Sequence, residues 1–146
     1  EPKEKSQIDQ SDLNKSRIIV GGTGIATAAL ATGGYDFDPN TSATTEIWNG
    51  SSWTEVGDLN TARYGLGTSG LYTDALVFGG GPGNVANTED WNGGSWSEVA
   101  DLNTGRVYVV GGGTPTSTIA FSGYTTTAVA STEEWSGSSA SKVLTD

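Results

Sequence analysis

The sequence predicts an all-β protein made of three consecutive four-stranded antiparallel units. Three observations predict it: a repeat of about 43 to 46 residues, a composition of short strand-forming runs broken by glycine, and an Asn-Gly turn at the same place in successive copies. The first marker, Asp12-Leu13-Asn14-Lys15-Ser16-Arg17, returns as Asp58-Leu59-Asn60-Thr61-Ala62-Arg63 and as Asp101-Leu102-Asn103-Thr104-Gly105-Arg106, at offsets of 46 and 43. A second marker, Thr45-Glu46-Ile47-Trp48-Asn49-Gly50, recurs as Thr88-Glu89-Asp90-Trp91-Asn92-Gly93 and, degraded, as Thr132-Glu133-Glu134-Trp135-Ser136-Gly137. Between them Ala29-Leu30-Ala31-Thr32-Gly33-Gly34 matches Ala75-Leu76-Val77-Phe78-Gly79-Gly80, with a weaker third copy over Thr118 to Gly123.

The second copy serves to place the strands. After Arg63 comes a glycine-interrupted apolar run to about Gly70, then Asp74 to Phe78 closed by a Gly-Gly pair, then Thr88 to Trp91, then Ser95 to Val99. Asn92-Gly93, like Asn49-Gly50, supplies residues that accept positive φ, so the last two strands of a copy form a hairpin. Small residues in the first strand suit an innermost position crowded around an axis. The boundaries that follow are a charged N-terminal tail over 1–10 and a repeat domain over 11–146, with copies at about 11–57, 58–100 and 101–146. A four-stranded unit this small cannot bury both faces alone, so each copy needs its neighbours to complete a core.

Composition narrows the function. Seven basic against seventeen acidic residues give a net charge of −10, which repels phosphate backbones and anionic headgroups, so no nucleic-acid partner is expected. No run approaches the ~20 apolar residues of a membrane span, and no membrane insertion is expected. Histidine and cysteine are absent, which removes Ser-His-Asp and Cys-His catalysis, thiolate zinc sites and imidazole shuttles.

The Gly-Gly pair closing the second strand, the aromatic residue of the third, the Trp of the fourth and the Arg opening each unit resemble the kelch repeat. The string Thr-Glu-x-Trp-Asn-Gly-x-Ser-Trp-x-Glu-Val-x-Asp-Leu-Asn-Thr-x-Arg is similar to kelch-like arrays of marine bacteria and their phages. The resemblance implies three kelch-like blades. Propellers have about 4 to 8 blades, so three make an incomplete propeller, completed or buried by oligomerisation. It further implies a non-enzymatic structural or assembly protein of a virion (phage tail or fibre) or extracellular appendage. Its partners would be further copies of itself and other proteins of the same assembly. In the third copy Ala140 and Lys142 stand where Trp53 and Trp96, and Glu55 and Glu98, stood, as in a terminal cap.

The residues that could carry chemistry recur in every copy, and recurrence points to structure, because a catalytic site needs one asymmetric constellation. Glu46, Glu89 and Glu133 repeat, so glycoside hydrolysis by paired carboxylates is the lesser reading and no catalytic residue is assigned. Arg17, Arg63 and Arg106 are expected to pair bidentately, with an Asp of the Asp-Leu-Asn turn or with a recurrent Glu; the sharper alternative is an axial anion site. Trp48, Trp91 and Trp135, with Trp53 and Trp96, are expected to pack between copies, the alternative being a sugar-stacking platform.

A binding function would fall to the variable loops, where Tyr35, Asp36, Phe37, Asp38, Asn84 and Tyr124 are the candidates for a glycan or a cell-surface receptor. Asp36, Asp38 and Asn40 place oxygens at alternate positions and make a weak calcium candidate, but Thr41 stands where a calcium loop needs Gly and Glu46 falls one residue short. No cofactor and no metal are expected.

Overall fold

The computed structural model of the chain describes residues 8–37 and 41–136. Among them there is no helix, and eleven strands form three antiparallel sheets. The first sheet holds β1 (Gly21–Ile25), β2 (Ala28–Thr32), β3 (Thr45–Trp48) and β4 (Trp53–Glu55), in that spatial order. The second repeats it with β5 (Gly67–Leu71), β6 (Asp74–Phe78), β7 (Thr88–Trp91) and β8 (Trp96–Val99). The third has β9 (Val110–Thr114), β10 (Ser117–Phe121) and β11 (Thr132–Ser136), and the fourth-strand positions of that copy lie outside the described residues.

The register is the same in each sheet. Leu30 lies opposite Ile47, Leu76 opposite Asp90 and Ile119 opposite Glu134, while Ala29, Ala75 and Thr118 face Trp48, Trp91 and Trp135. Alternation then gives every sheet two different faces. One carries the third-strand Trp and the recurrent Glu; the other carries Leu30, Leu76 or Ile119 two residues from Thr32, Phe78 or Phe121. The sheets stack in chain order, the Trp face of each on the Leu face of the one before.

Two seams result. In the first, Trp91, Trp96, Ala75 and Val77 of the second sheet meet Leu30 of the first, with Leu59 and Leu66 wedged between. In the second, Ala120 and Trp135 meet Leu76 and Phe78, with Leu102 and Val109 in the wedge. The leucine of the second and third Asp-Leu-Asn markers is thus an inter-sheet plug. The inner strands β1, β5 and β9 lie side by side, and β1 is joined to β5 by Thr23 Oγ1 donating to the Gly70 carbonyl and Thr68 Oγ1 to that of Gly22, each at 2.7 Å. The Ser69 and Thr118 hydroxyls share a hydrogen bond across the second seam. Crowding requires glycine here, since a Cβ on Gly111 would collide with the Thr68 carbonyl and the Phe78 ring.

Candidate functional site

Each sheet is sewn to its leading segment by one buried ion pair. Arg63 donates through Nη1 to the carbonyls of Gly79 (2.9 Å) and Asn87, and through Nη2 to Glu89 Oε1 at 3.0 Å. Glu89 Oε2 accepts from the Asn60 backbone N–H at 2.7 Å and from its side-chain amide at 2.9 Å. The same arrangement joins Arg17 to Glu46 at 2.9 Å and to the carbonyls of Gly33 and Thr44, with Asn14 N–H on Glu46 Oε2. It joins Arg106 to Glu133 at 3.1 Å, with Asn103 N–H on Glu133 Oε2. Of the two partners expected for the arginines, the recurrent Glu is the one found, through a single Nη2–Oε1 bond rather than the bidentate pair expected, because Nη1 is taken by backbone carbonyls.

All three guanidiniums are fully buried, and each leaves its Nε without a partner. Burial pushes Arg63 below its ordinary range, and Glu89, hydrogen-bonded to it, pulls it back. No guanidinium faces an axis or a solvent channel, so the arginines do not build an anion site. Each of these glutamates engages one oxygen with the Arg guanidinium and the other with the Asn backbone N–H of the marker.

Tryptophan is likewise committed to packing. Trp48, Trp91, Trp96 and Trp135 are buried, and Trp53 is half-buried. Trp48 and Trp91 donate Nε1–H to Ala26 and Tyr72, in the β1–β2 and β5–β6 turns. Trp135 departs from the pattern: it donates to the Ala100 carbonyl of the preceding copy at 3.1 Å, and its ring stacks on Phe78 at 5.0 Å. Phe78 takes the place that Thr32 holds in the first sheet, and this substitution gives Trp135 a flat apolar partner.

The loop candidates are divided among different contacts. Asp36 forms an ion pair with Lys15, while Asp38 and Asn40 lie outside the described residues. The Tyr35 ring meets Phe37 edge-on at 4.8 Å and Tyr64 at 6.0 Å. Asn84 donates to the Thr125 carbonyl of the next copy at 3.0 Å, and Tyr124 is exposed. Among the described residues no group of three Asp or Glu side chains is placed to hold a metal ion.

What the sequence did not reveal is the backbone ladder in the seams. Leu59 N–H donates to Ala43 O at 2.9 Å and Leu102 N–H to Ala86 O at 3.0 Å; Arg63 N–H donates to Ser42 O and Arg106 N–H to Val85 O. Gly34 N–H meets Arg63 O at 2.9 Å and Gly80 N–H meets Arg106 O at 2.8 Å. Near the axis Gly65 N–H donates to Ile19 O and Tyr108 N–H to Gly65 O. Ile19, Gly65 and Tyr108 occupy one repeat position at φ of 56°, 62° and 58°. A left-handed conformation costs a β-branched residue most, and Ile19 holds it at the end of this ladder.

Among the described residues the outermost faces of the stack have no neighbour. Ile119 is 40% exposed where Leu30 and Leu76 are at 1% and 4%, and Phe121 is 39% exposed where Thr32 and Phe78 are at 0%. At the other end Leu13, Val20 and Trp53 are half-buried where Leu59, Leu66 and Trp96 are buried. The cap reading of the third copy rests on Ala140 and Lys142, which lie outside the described residues.

Stacked antiparallel sheets of four, four and three described strands are those of a β-propeller-like protein. One solved relative, described as "Structure of YjhT", superposes at a TM-score of 0.82 over 96% of this chain with 11% identity, and the chain spans 48% of that relative. At that identity the likeness shows the fold alone. No family model matches the sequence, and no curated protein matches it.

Proposed function

We propose that the chain is a non-enzymatic assembly module of kelch-like repeats, serving a virion (phage tail or fibre) or an extracellular appendage, and that its end faces do the work. The observation that carries this reading is the pair of unfinished seams: Leu13, Val20 and Trp53 at one end and Ile119 and Phe121 at the other are more exposed than their counterparts in the internal seams. Commitment of every recurrent Arg and Glu to internal bonds supports a framework rather than a reaction. Amide hydrogen exchange on the assembled protein tests it. Protection is expected at the end-face amides, and a panel of glycosides is expected to be left intact; turnover of any of them would sink the reading.

A second reading, a carbohydrate- or receptor-binding module, draws on exposed Tyr108 before the inner strand β9 and exposed Phe37 and Tyr124 after the second strands β2 and β10. Saturable binding to a glycan array, lost in Tyr124→Ala, would favour it over assembly.

A further inference from the structure

We infer that each open face is completed by the opposite open face of a second copy of this chain, so that two copies close head to tail into a ring of six sheets. The inference rests on the assembly reading and names its partner. The argument is continuity with the two seams already formed. Each seam follows one donor and acceptor rule, with the later sheet donating from the Leu and Arg of its marker and from the left-handed residue two positions beyond that Arg. The earlier sheet donates once in return, from the second residue of its Gly-Gly position.

Applied to the ends, that rule leaves complementary sets. The first sheet offers the N–H groups of Leu13, Arg17 and Ile19 and the Arg17 carbonyl. The third offers the carbonyls of Ala130, Val129 and Tyr108 and the Gly123 N–H. These groups find no such partner among the described residues. Side chains match in the same sense. Trp96 donates Nε1–H to Thr45 Oγ1 at 3.0 Å across the first seam; Trp53 and Thr132 hold those two repeat positions at the opposite ends of the chain, half-buried and exposed. Ile119 and Phe121 supply the apolar face on which the Trp face of a first sheet would close. Glu134, on that same face, is no obstacle, since Asp90 occupies the equivalent position within the second seam.

Stoichiometry follows from the sheet count. A heterologous contact closes into a ring or runs on as an open filament, and propellers of about 4 to 8 blades close. The three sheets of the described residues put two copies at six, within that range, and three copies at nine, beyond it. Each copy carries a net charge of −10, so the two repel at long range and the seam has to form against that repulsion.

The test is the absolute mass of the whole 146-residue chain by light scattering coupled to size exclusion, over a hundredfold or so range of concentration. One species at twice the 15.0 kDa of the chain is expected. Leu13→Glu on one face and Ile119→Glu on the other, each checked for native circular dichroism, are each expected to weaken self-association by roughly a hundredfold, a hot-spot loss. Mixed together they are expected to recover a 1:1 complex through the one seam still intact, which a face-to-like-face dimer would not do. A monomer at every concentration overturns the proposal and assigns the faces to further repeats of a longer chain or to another protein, while the assembly reading still stands or falls on its own exchange experiment. A ladder of masses overturns ring closure, and failure of the two variants to complement overturns the head-to-tail pairing.

Discussion

Trp96 donates its indole N–H to the hydroxyl of Thr45 across the first seam at 3.0 Å, and the repeat counterpart of that threonine, Thr88, has a buried hydroxyl with no partner. In the sequence, the repeat position of Trp96 is held in the third copy by Ala140, whose side chain carries no N–H. Phe78 has also replaced the Thr32 hydroxyl that shares a hydrogen bond with Thr45 at 2.7 Å. A buried hydroxyl without a partner costs about 1–3 kcal/mol. Thr88→Val should therefore be neutral or stabilise the fold by about 1 kcal/mol. Thr45→Val, which strands both the Trp96 N–H and the Thr32 hydroxyl, should destabilise it by about 1–3 kcal/mol. Urea unfolding of the two variants measures both signs.

The Arg63–Glu89 pair supports a second prediction. Removing one partner of a buried pair leaves an uncompensated charge, so Glu89→Gln should cost about 3–5 kcal/mol. It leaves the Arg63 guanidinium facing a neutral amide in a site with no access to water. The double variant Arg63→Met, Glu89→Leu should lose clearly less than the sum of its single variants, by about 1–3 kcal/mol of coupling. Strict additivity in a double-mutant cycle would remove the pair from its role as the clasp of the second sheet.

Two adjacent glycines of β9 separate crowding from mere repetition. A Cβ at Gly111 would strike the Thr68 carbonyl and Phe78, whereas nothing lies within 4 Å of one at Gly112. Gly111→Ala should cost about 1–3 kcal/mol by overpacking the inner strands. Gly112→Ala should change stability by less than about 0.5 kcal/mol. Thermal unfolding of the two variants should differ by several degrees, and equal midpoints would contradict the close approach of β5 and β9.

These results show how much of the molecule was legible from residues alone. The repeat placed the last three strands of the second copy to within a residue, because Asn92-Gly93 and the Gly-Gly pair mark turns that few other residues accept, whereas β5 starts at Gly67, three residues later than the run after Arg63 suggested. Ion pairing of Arg63 could be anticipated, but its choice of Glu89 over an Asp of the turn depends on a distance that spacing does not encode. The ladder through Ile19, Gly65 and Tyr108 was invisible for a different reason. It is made by backbone groups, so its three positions share a conformation and no side chain. Trp135 looked like a third copy of Trp48 and Trp91, yet its bond runs to Ala100, since Phe78 draws its ring toward the second sheet.

Salt should act on association in a definite direction. Two copies at −10 each repel, and the Debye length falls from about 30 Å at 0.01 M to about 8 Å at 0.15 M. Self-association should therefore strengthen as sodium chloride rises through that range, as read by the dissociation constant from sedimentation equilibrium. Weakening with salt would mean that opposite charges, not the apolar and backbone seam, hold the copies together.

The most direct test of the central claim, that the end faces are unfinished seams, is residue-resolved amide exchange of the full chain at a concentration where it is associated. The account predicts that the amides of Leu13, Arg17, Ile19 and Gly123 exchange as slowly as those of Leu59, Arg63, Gly65 and Gly80, their counterparts inside the first and second seams. Fast exchange at those four positions, with the internal counterparts protected, would contradict it.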